Sequence, residues 1–147
     1  ASSGPAASAA SAGETVYDAR AFAPSDASEL PGGVAGGALL FESRFESGNL
    51  RRAVRTGRRE YELLLDYDHR TSGHTQWFFF RISGPGLEPG ARYTFHILNM
   101  SKPASLFQRG MQPVVLSARA AALGLGGWAR AGEGVAYYDN GVARLRG

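Results

Sequence analysis

Residues 73–84 read GHTQWFFFRISG, and the reading of this stretch decides the fold. A polar trio, His74-Thr75-Gln76, stands directly before four consecutive aromatics, Trp77-Phe78-Phe79-Phe80. A helix would show apolar residues at every third or fourth place, and a half-exposed strand at every second. An unbroken run of bulky side chains between glycines instead predicts a strand buried on both faces. Such a strand is central in its sheet, and the polar trio caps it where it leaves a loop.

The flanking sequence supplies further strands. In ALLFESRF, residues 38–45, Leu39, Phe41 and Ser43 share one face, and Leu40, Glu42 and Arg44 share the other. ESGN, residues 46–49, is a turn, and LRRAVR, residues 50–55, is a short basic strand. REYELLLDYD, residues 59–68, alternates, with Tyr61, Leu63, Leu65 and Tyr67 on one side. After HRTSG and the aromatic stretch, GPGLEPG is dense in turn formers. ARYTFHILN, residues 91–99, puts Tyr93, Phe95 and Ile97 on one face, and MQPVVLSAR holds a short strand after Pro113. GWARAG and GVAYYD read as paired strands, Asn140-Gly141 is a hairpin signal, and SARAAALGLGG has room for one or two helical turns. Strands at this spacing, with no convincing amphipathic helix, predict an all-β, antiparallel β-sandwich of roughly eight or nine short strands.

Composition sets the outer bounds. The chain has 147 residues, 44% of them apolar, enough for one core. It has no cysteine, so disulfide frameworks and thiolate metal sites are excluded. No apolar run approaches the roughly 20 residues of a membrane span. Net charge is +3, carried almost entirely by arginine, Lys102 being the sole lysine. So mild a charge does not by itself indicate a nucleic-acid partner. Residues 1–13, ASSGPAASAASAG, are low-complexity and predict disorder. Residues 1–37 as a whole read as a mostly disordered leader in which TVYDARAFAP offers an edge strand, and residues 38–147 read as the sandwich.

Chemistry-bearing residues are sparse. The histidines, His69, His74 and His96, lack the His-x-x-Glu or His-Glu-x-x-His spacing of a zinc site. No nucleophile elbow or phosphate loop is present, and GLGGWA, residues 124–129, lacks the strand before and the long helix after that a dinucleotide site needs. Asp66 and Asp68 sit at a strand end, where turn residues are far commoner than acid–base pairs. The predicted catalytic, cofactor and metal residues of this chain are therefore none. One charge feature remains: Arg51, Arg52, Arg55, Arg58 and Arg59 crowd into one hairpin. They form either a solvated edge that blocks aggregation or a contact for an acidic partner.

In order, FESRFESGNLRRA, EYELLLDYD, TSGHTQWFFFRI, YTFHILNMSKPASLFQRGMQPVVLS and GWARAGEGVAYYDNG resemble the N-terminal domain of the cytosolic carboxypeptidases, M14-family zinc enzymes. The resemblance spans roughly residues 39–141. Its motif positions are Phe45, Gly48, Asn49, Gly73, His74, Thr75, Gln76, Trp77, Asn99, Lys102, Gly110, Met111 and Pro113. Phe79 departs from the pattern, standing where tyrosine is expected. The resemblance implies a β-sandwich ahead of a catalytic domain that carries the zinc ligands and the catalytic glutamate. It implies a parent enzyme that removes glutamates from polyglutamylated proteins such as tubulin, in the cytoplasm and at microtubules. The motif residues would then support folding, interdomain packing and substrate approach, without catalysis by this chain. Two other readings stay open. One is a free-standing sandwich that binds an acidic tail or a glycan, with Trp77, Tyr93 or Trp128 as stacking platforms. The other is a relative that serves only as an interaction protein.

Overall fold

The computed structural model describes residues 13–21, 37–131 and 135. The chain divides into two units, Ala1–Met100 and Ser101–Gly147. The first holds six strands: β1 (Glu14–Asp18), β2 (Leu40–Glu42), β3 (Leu50–Gly57), β4 (Glu60–Leu65), β5 (Arg81–Ser83) and β6 (Thr94–Ile97). They form a four-stranded sheet in the order β1-β3-β4-β6 and a two-stranded sheet β2-β5.

The alternating segments behave as their pattern requires. Tyr61, Leu63 and Leu65 of β4 are buried, as are Leu39, Phe41 and Ser43 around β2. Side-chain direction flips at each strand residue, so every second position of β4 reaches the same core. Phe41 brings the two sheets together. Its ring meets Tyr61 edge-on at 5.3 Å and Phe95 at 6.3 Å, while Tyr61 stacks on Phe95 at 5.9 Å. Such pairs each add about 0.5–1.5 kcal/mol beyond the area they bury. The Tyr61 hydroxyl, fully buried, accepts a hydrogen bond from the Leu39 backbone N–H at 3.0 Å. The fold is an all-β sandwich.

Four expectations are corrected. The aromatic run is not a central strand: only Arg81–Ser83 is extended and paired, against Leu40–Glu42. Residues 74–80 carry no regular structure, Phe78–Phe80 are half-buried, and Trp77 is 42% exposed. The arginine-rich strand is not an edge, because β1 pairs with one side of β3 and β4 with the other. The sheet is not wholly antiparallel, since β4 and β6 run parallel. Parallel neighbours need a long crossover, and residues 66–93 provide it. Finally, Tyr67 lies beyond the end of β4 and is exposed.

β1 lies inside the stretch read as a leader, while residues 1–12 and 22–36 fall outside the described residues. Tyr17 fixes β1 to the body of the unit. Its ring is buried, and its hydroxyl lies 2.9 Å from Ser43 Oγ and accepts from the Ser43 N–H at 3.0 Å.

The second unit holds a 3₁₀ turn (Leu106–Arg109), β7 (Val114–Leu116), α1 (Ala118–Ala122) and β8 (Trp128–Arg130). Ser105 and Gln108 form a reciprocal cap at the start of the 3₁₀ turn, and Gly110 ends it with φ +89°. β8 pairs antiparallel with β7. Apart from Val135, GVAYYD and the Asn140-Gly141 signal lie outside the described residues.

Candidate functional site

A segment without a sheet partner must satisfy its backbone by other means. Two asparagines do so here. The Asn49 side chain donates to the Trp77 carbonyl at 2.9 Å and accepts from the Phe79 N–H at 2.8 Å. Its own backbone N–H donates to the Phe79 carbonyl at 3.1 Å. Asn99 treats the end of β4 in the same way, accepting from the Leu65 N–H at 2.8 Å and donating to the Leu65 carbonyl at 2.9 Å. The Thr75 hydroxyl, fully buried, donates to the Asn99 carbonyl. Of the polar trio, then, Thr75 is the anchor, whereas His74 and Gln76 face solvent.

These ties present a cleft of about 510 Å³ whose walls include Arg20, Gly48, Asp66, Tyr67, Asp68 and Trp77. Gly48 is required by space: a Cβ there would overlap the Ser43 carbonyl. The turn it serves closes through a bond from the Gly48 N–H to the Phe45 carbonyl at 3.0 Å. Phe45 packs edge-on against Phe79 at 5.2 Å, and the Arg81 guanidinium lies over the Phe45 ring at 5.6 Å. Asp66 pairs with Arg20 at 2.7 Å, and Asp68 accepts from the Trp77 indole N–H at 3.1 Å. Each carboxylate is thus occupied by a structural partner, which argues against a paired acid–base role. His69 and His74 are both exposed. His96 sits apart, 2.7 Å from Glu60. Among the described residues, no three His, Cys, Asp or Glu side chains gather to hold a metal ion. These residues do not fit the zinc that the resemblance implies for the parent enzyme.

The five arginines do not form one patch. Arg52 stands opposite Leu64, whereas Arg55 stands opposite Tyr61, on the other face. Arg51 is the extra residue of a bulge between Leu50 and Arg52. Arg55 folds back on the hairpin, donating to the Gly57 and Arg58 carbonyls, each at 3.2 Å. Arg59 pairs with Glu88. Among the described residues, no ion pair holds Arg51, Arg52 or Arg58. Arg52 and Arg58 are six positions apart, about 20 Å along an extended strand. Of the proposed stacking platforms, Tyr93 is committed: its hydroxyl donates to the Gly86 carbonyl at 2.5 Å and accepts from the Glu88 N–H at 2.8 Å.

Sequence reasoning missed the carboxylate that organises the β1–β2 corner. Glu42 accepts from Arg44 Nη2 at 2.7 Å and Nε at 2.9 Å, and from the Ser43 and Arg44 backbone N–H groups. The Arg44 side chain is the main cause that lowers the Glu42 pKa to about 2. The sequence signal was present, since acid and base at i and i+2 of a strand share a face.

The remaining motif positions lie in the second unit or in turns. Gly73 and Gly110 take left-handed φ values of +101° and +89°. The Pro113 carbonyl accepts from the Ala131 N–H at 2.9 Å, closing the β7–β8 ribbon, and Lys102 is exposed.

The model of the cytosolic carboxypeptidase N-terminal domain matches residues 41–145. The chain belongs to this family. As such it corresponds to the N-terminal domain of the cytosolic carboxypeptidases. Cytosolic carboxypeptidase 2 of Mus musculus is 50% identical over 104 residues, covering 71% of this chain and 12% of that protein. Cytosolic carboxypeptidase 4 of Mus musculus is 45% identical over 102 residues, covering 69% and 9%. Cytosolic carboxypeptidase 2 of Homo sapiens is 49% identical over 102 residues, covering 69% and 11%. The chain thus spans about a tenth of the length of these relatives. No solved structure matches it. No helix among the described residues is long and apolar enough to cross a membrane.

Proposed function

We propose that this chain is the non-catalytic accessory domain of a cytosolic zinc metallocarboxypeptidase that removes glutamates from acidic polypeptide tails such as those of polyglutamylated tubulin. The observation that carries the reading is the family match over nearly all of the sandwich, in a chain whose described residues gather no metal ligands. In this reading the zinc and the hydrolytic chemistry belong to the following catalytic domain, and this domain is that domain's packing partner.

The domain's second contribution is electrostatic. A glutamate-rich tail carries dense negative charge, and cationic side chains without internal partners raise its encounter rate in a salt-sensitive way. Arg51 and Arg52, adjacent on β3, are the pair best suited to this role. Arg55 and Arg59 are taken up by the hairpin and by Glu88, which leaves Arg58 alone at the turn.

The test uses the whole enzyme. Release of glutamate from a polyglutamate peptide is followed for wild type and Arg51→Glu/Arg52→Glu between low and physiological salt. We expect kcat/KM of the variant to fall about 3–10-fold at low salt, converging with wild type as salt rises. Equal values at all salt concentrations would remove these arginines from substrate approach. No release by the wild-type enzyme would overturn the deglutamylase reading itself.

A further inference from the structure

We propose that the cleft walled by Tyr67, Asp68 and Trp77 receives an arginine side chain presented by a partner polypeptide. The proposal goes beyond the accessory-domain reading and does not depend on it, since that reading leaves this cleft without a role.

Two aromatic rings are displayed here. Tyr67 is 58% exposed and Trp77 42%, and both line one cleft of about 510 Å³, a size suited to a small ligand or a single long side chain. The indole N–H is already committed to Asp68 Oδ1 at 3.1 Å, which fixes the ring and leaves its faces as the surface on offer. No hydrogen bond among the described residues engages the Tyr67 hydroxyl or Asp68 Oδ2. The charged walls are Asp66, Asp68 and Arg20, beside His69, so carboxylates outnumber guanidinium groups two to one. Asp66 pairs with Arg20, whereas no ion pair among the described residues neutralises Asp68.

A cation is the ligand that this combination selects. The face of an aromatic ring is electron-rich, that of tryptophan most of all, and an adjoining carboxylate adds to the same field. Among cations, the planar guanidinium can stack on a ring and offer a fork of N–H groups to a carboxylate, which the compact ammonium of lysine cannot. The domain makes such a stack nearby, where the Arg81 guanidinium lies over the Phe45 ring at 5.6 Å. The backbone around the cleft is also unusual. Among the described residues, the two that are not glycine and have left-handed backbone are Ser47, at φ +66°, and Arg70, at φ +60°. Ser47 is a wall of the cleft, and Arg70 follows the wall residue His69. Such backbone is strained for a residue with a Cβ and gathers at ligand clamps.

The test is made in the full-length protein, with His69, an exposed wall, exchanged for the photo-crosslinking residue p-benzoylphenylalanine. Biotinylated glycine–serine peptides carrying one central arginine, or its neutral isostere citrulline, are titrated and irradiated, and the half-saturating concentration of crosslinked product is read. We expect the arginine peptide to saturate at a concentration about 3–30-fold lower, the combined effect of an exposed cation–π contact and an exposed charge pair. Asp68→Asn, which keeps an oxygen for the indole N–H, and Tyr67→Ala should each cut that preference about 2–5-fold, while Tyr67→Phe retains it. Equal saturation by the arginine and citrulline peptides would overturn the proposal. A preference untouched by both Asp68→Asn and Tyr67→Ala would place the peptide elsewhere and overturn it too. So would tighter capture of a glutamate peptide than of the arginine peptide, which would reverse the sign of the ligand. A link from position 69 to residues 22–36 of the same copy, in place of any peptide, would show the cleft filled from within and would also overturn it. Release of glutamate by the enzyme bears on none of these outcomes.

Discussion

Replacing Asn49 by alanine removes two side-chain hydrogen bonds, to the Trp77 carbonyl and from the Phe79 N–H, at 2.9 and 2.8 Å. Asn49 is only 9% exposed, so water cannot readily take its place. A net intramolecular hydrogen bond is worth about 0.5–1.5 kcal/mol, and a buried group left unpaired costs about 1–3 kcal/mol. The two backbone groups are partly buried, which puts the sum near 2–4 kcal/mol. At a urea dependence of roughly 2 kcal/mol/M, the midpoint should fall by about 1–2 M. Urea unfolding of the 147-residue chain, followed by circular dichroism, measures the shift. Hydrogen exchange then localises it, because the Phe79 amide should lose protection before the Leu63 amide in the core of β4. A change within about 0.5 kcal/mol, the range of an ordinary surface substitution, would refute the idea that Asn49 stands in for a missing strand.

Three further expectations follow from the packing. Tyr61→Phe keeps the ring but orphans the Leu39 N–H, and should cost about 1–3 kcal/mol in the same urea assay. Trp77→Ala should cost only about 1–2 kcal/mol, below the ~3–5 of a buried aromatic, because the indole is 42% exposed. Glu42 binds its proton less readily folded than unfolded, with a pKa near 2 against 4.5, so its ionised form stabilises the fold. The stability gap between wild type and Glu42→Gln should be full above pH 4.5 and close as pH falls towards 2, which denaturation across that range checks.

The sandwich was legible where one face of a strand meets the core and the other meets water. Period-two alternation around Phe41, Tyr61 and Phe95 marked the rings that join the two sheets. The aromatic run misled twice over: Trp77 is exposed and Phe78–Phe80 are only half-buried, and an unbroken apolar stretch says nothing of backbone partners. Here the backbone is satisfied by Asn49, distant in sequence, and no local pattern marks that asparagine as a surrogate strand. The parallel β4–β6 pairing and the position of β3 inside its sheet were hidden for a related reason, since strand order depends on contacts far apart in the chain. At the candidate site, nothing in the sequence divides the motif positions into anchors and displayed groups. Thr75 turns inward and Gln76 outward although both are polar neighbours in one loop.

The attachment of β1 bears on how the domain can be cut. The family match opens at residue 41, so a protein begun there would omit Glu14–Asp18. The loss would strip the Tyr17 ring from the Ser43 corner and bare the hydrogen-bonding groups of β3 along one side. A bared strand with unpaired amides and carbonyls recruits a neighbouring copy, and the outcome is aggregation during expression or purification. Trimming to the homologous core would thus yield a poorer sample than keeping the unremarkable residues before it, and the safe starting point lies ahead of Glu14.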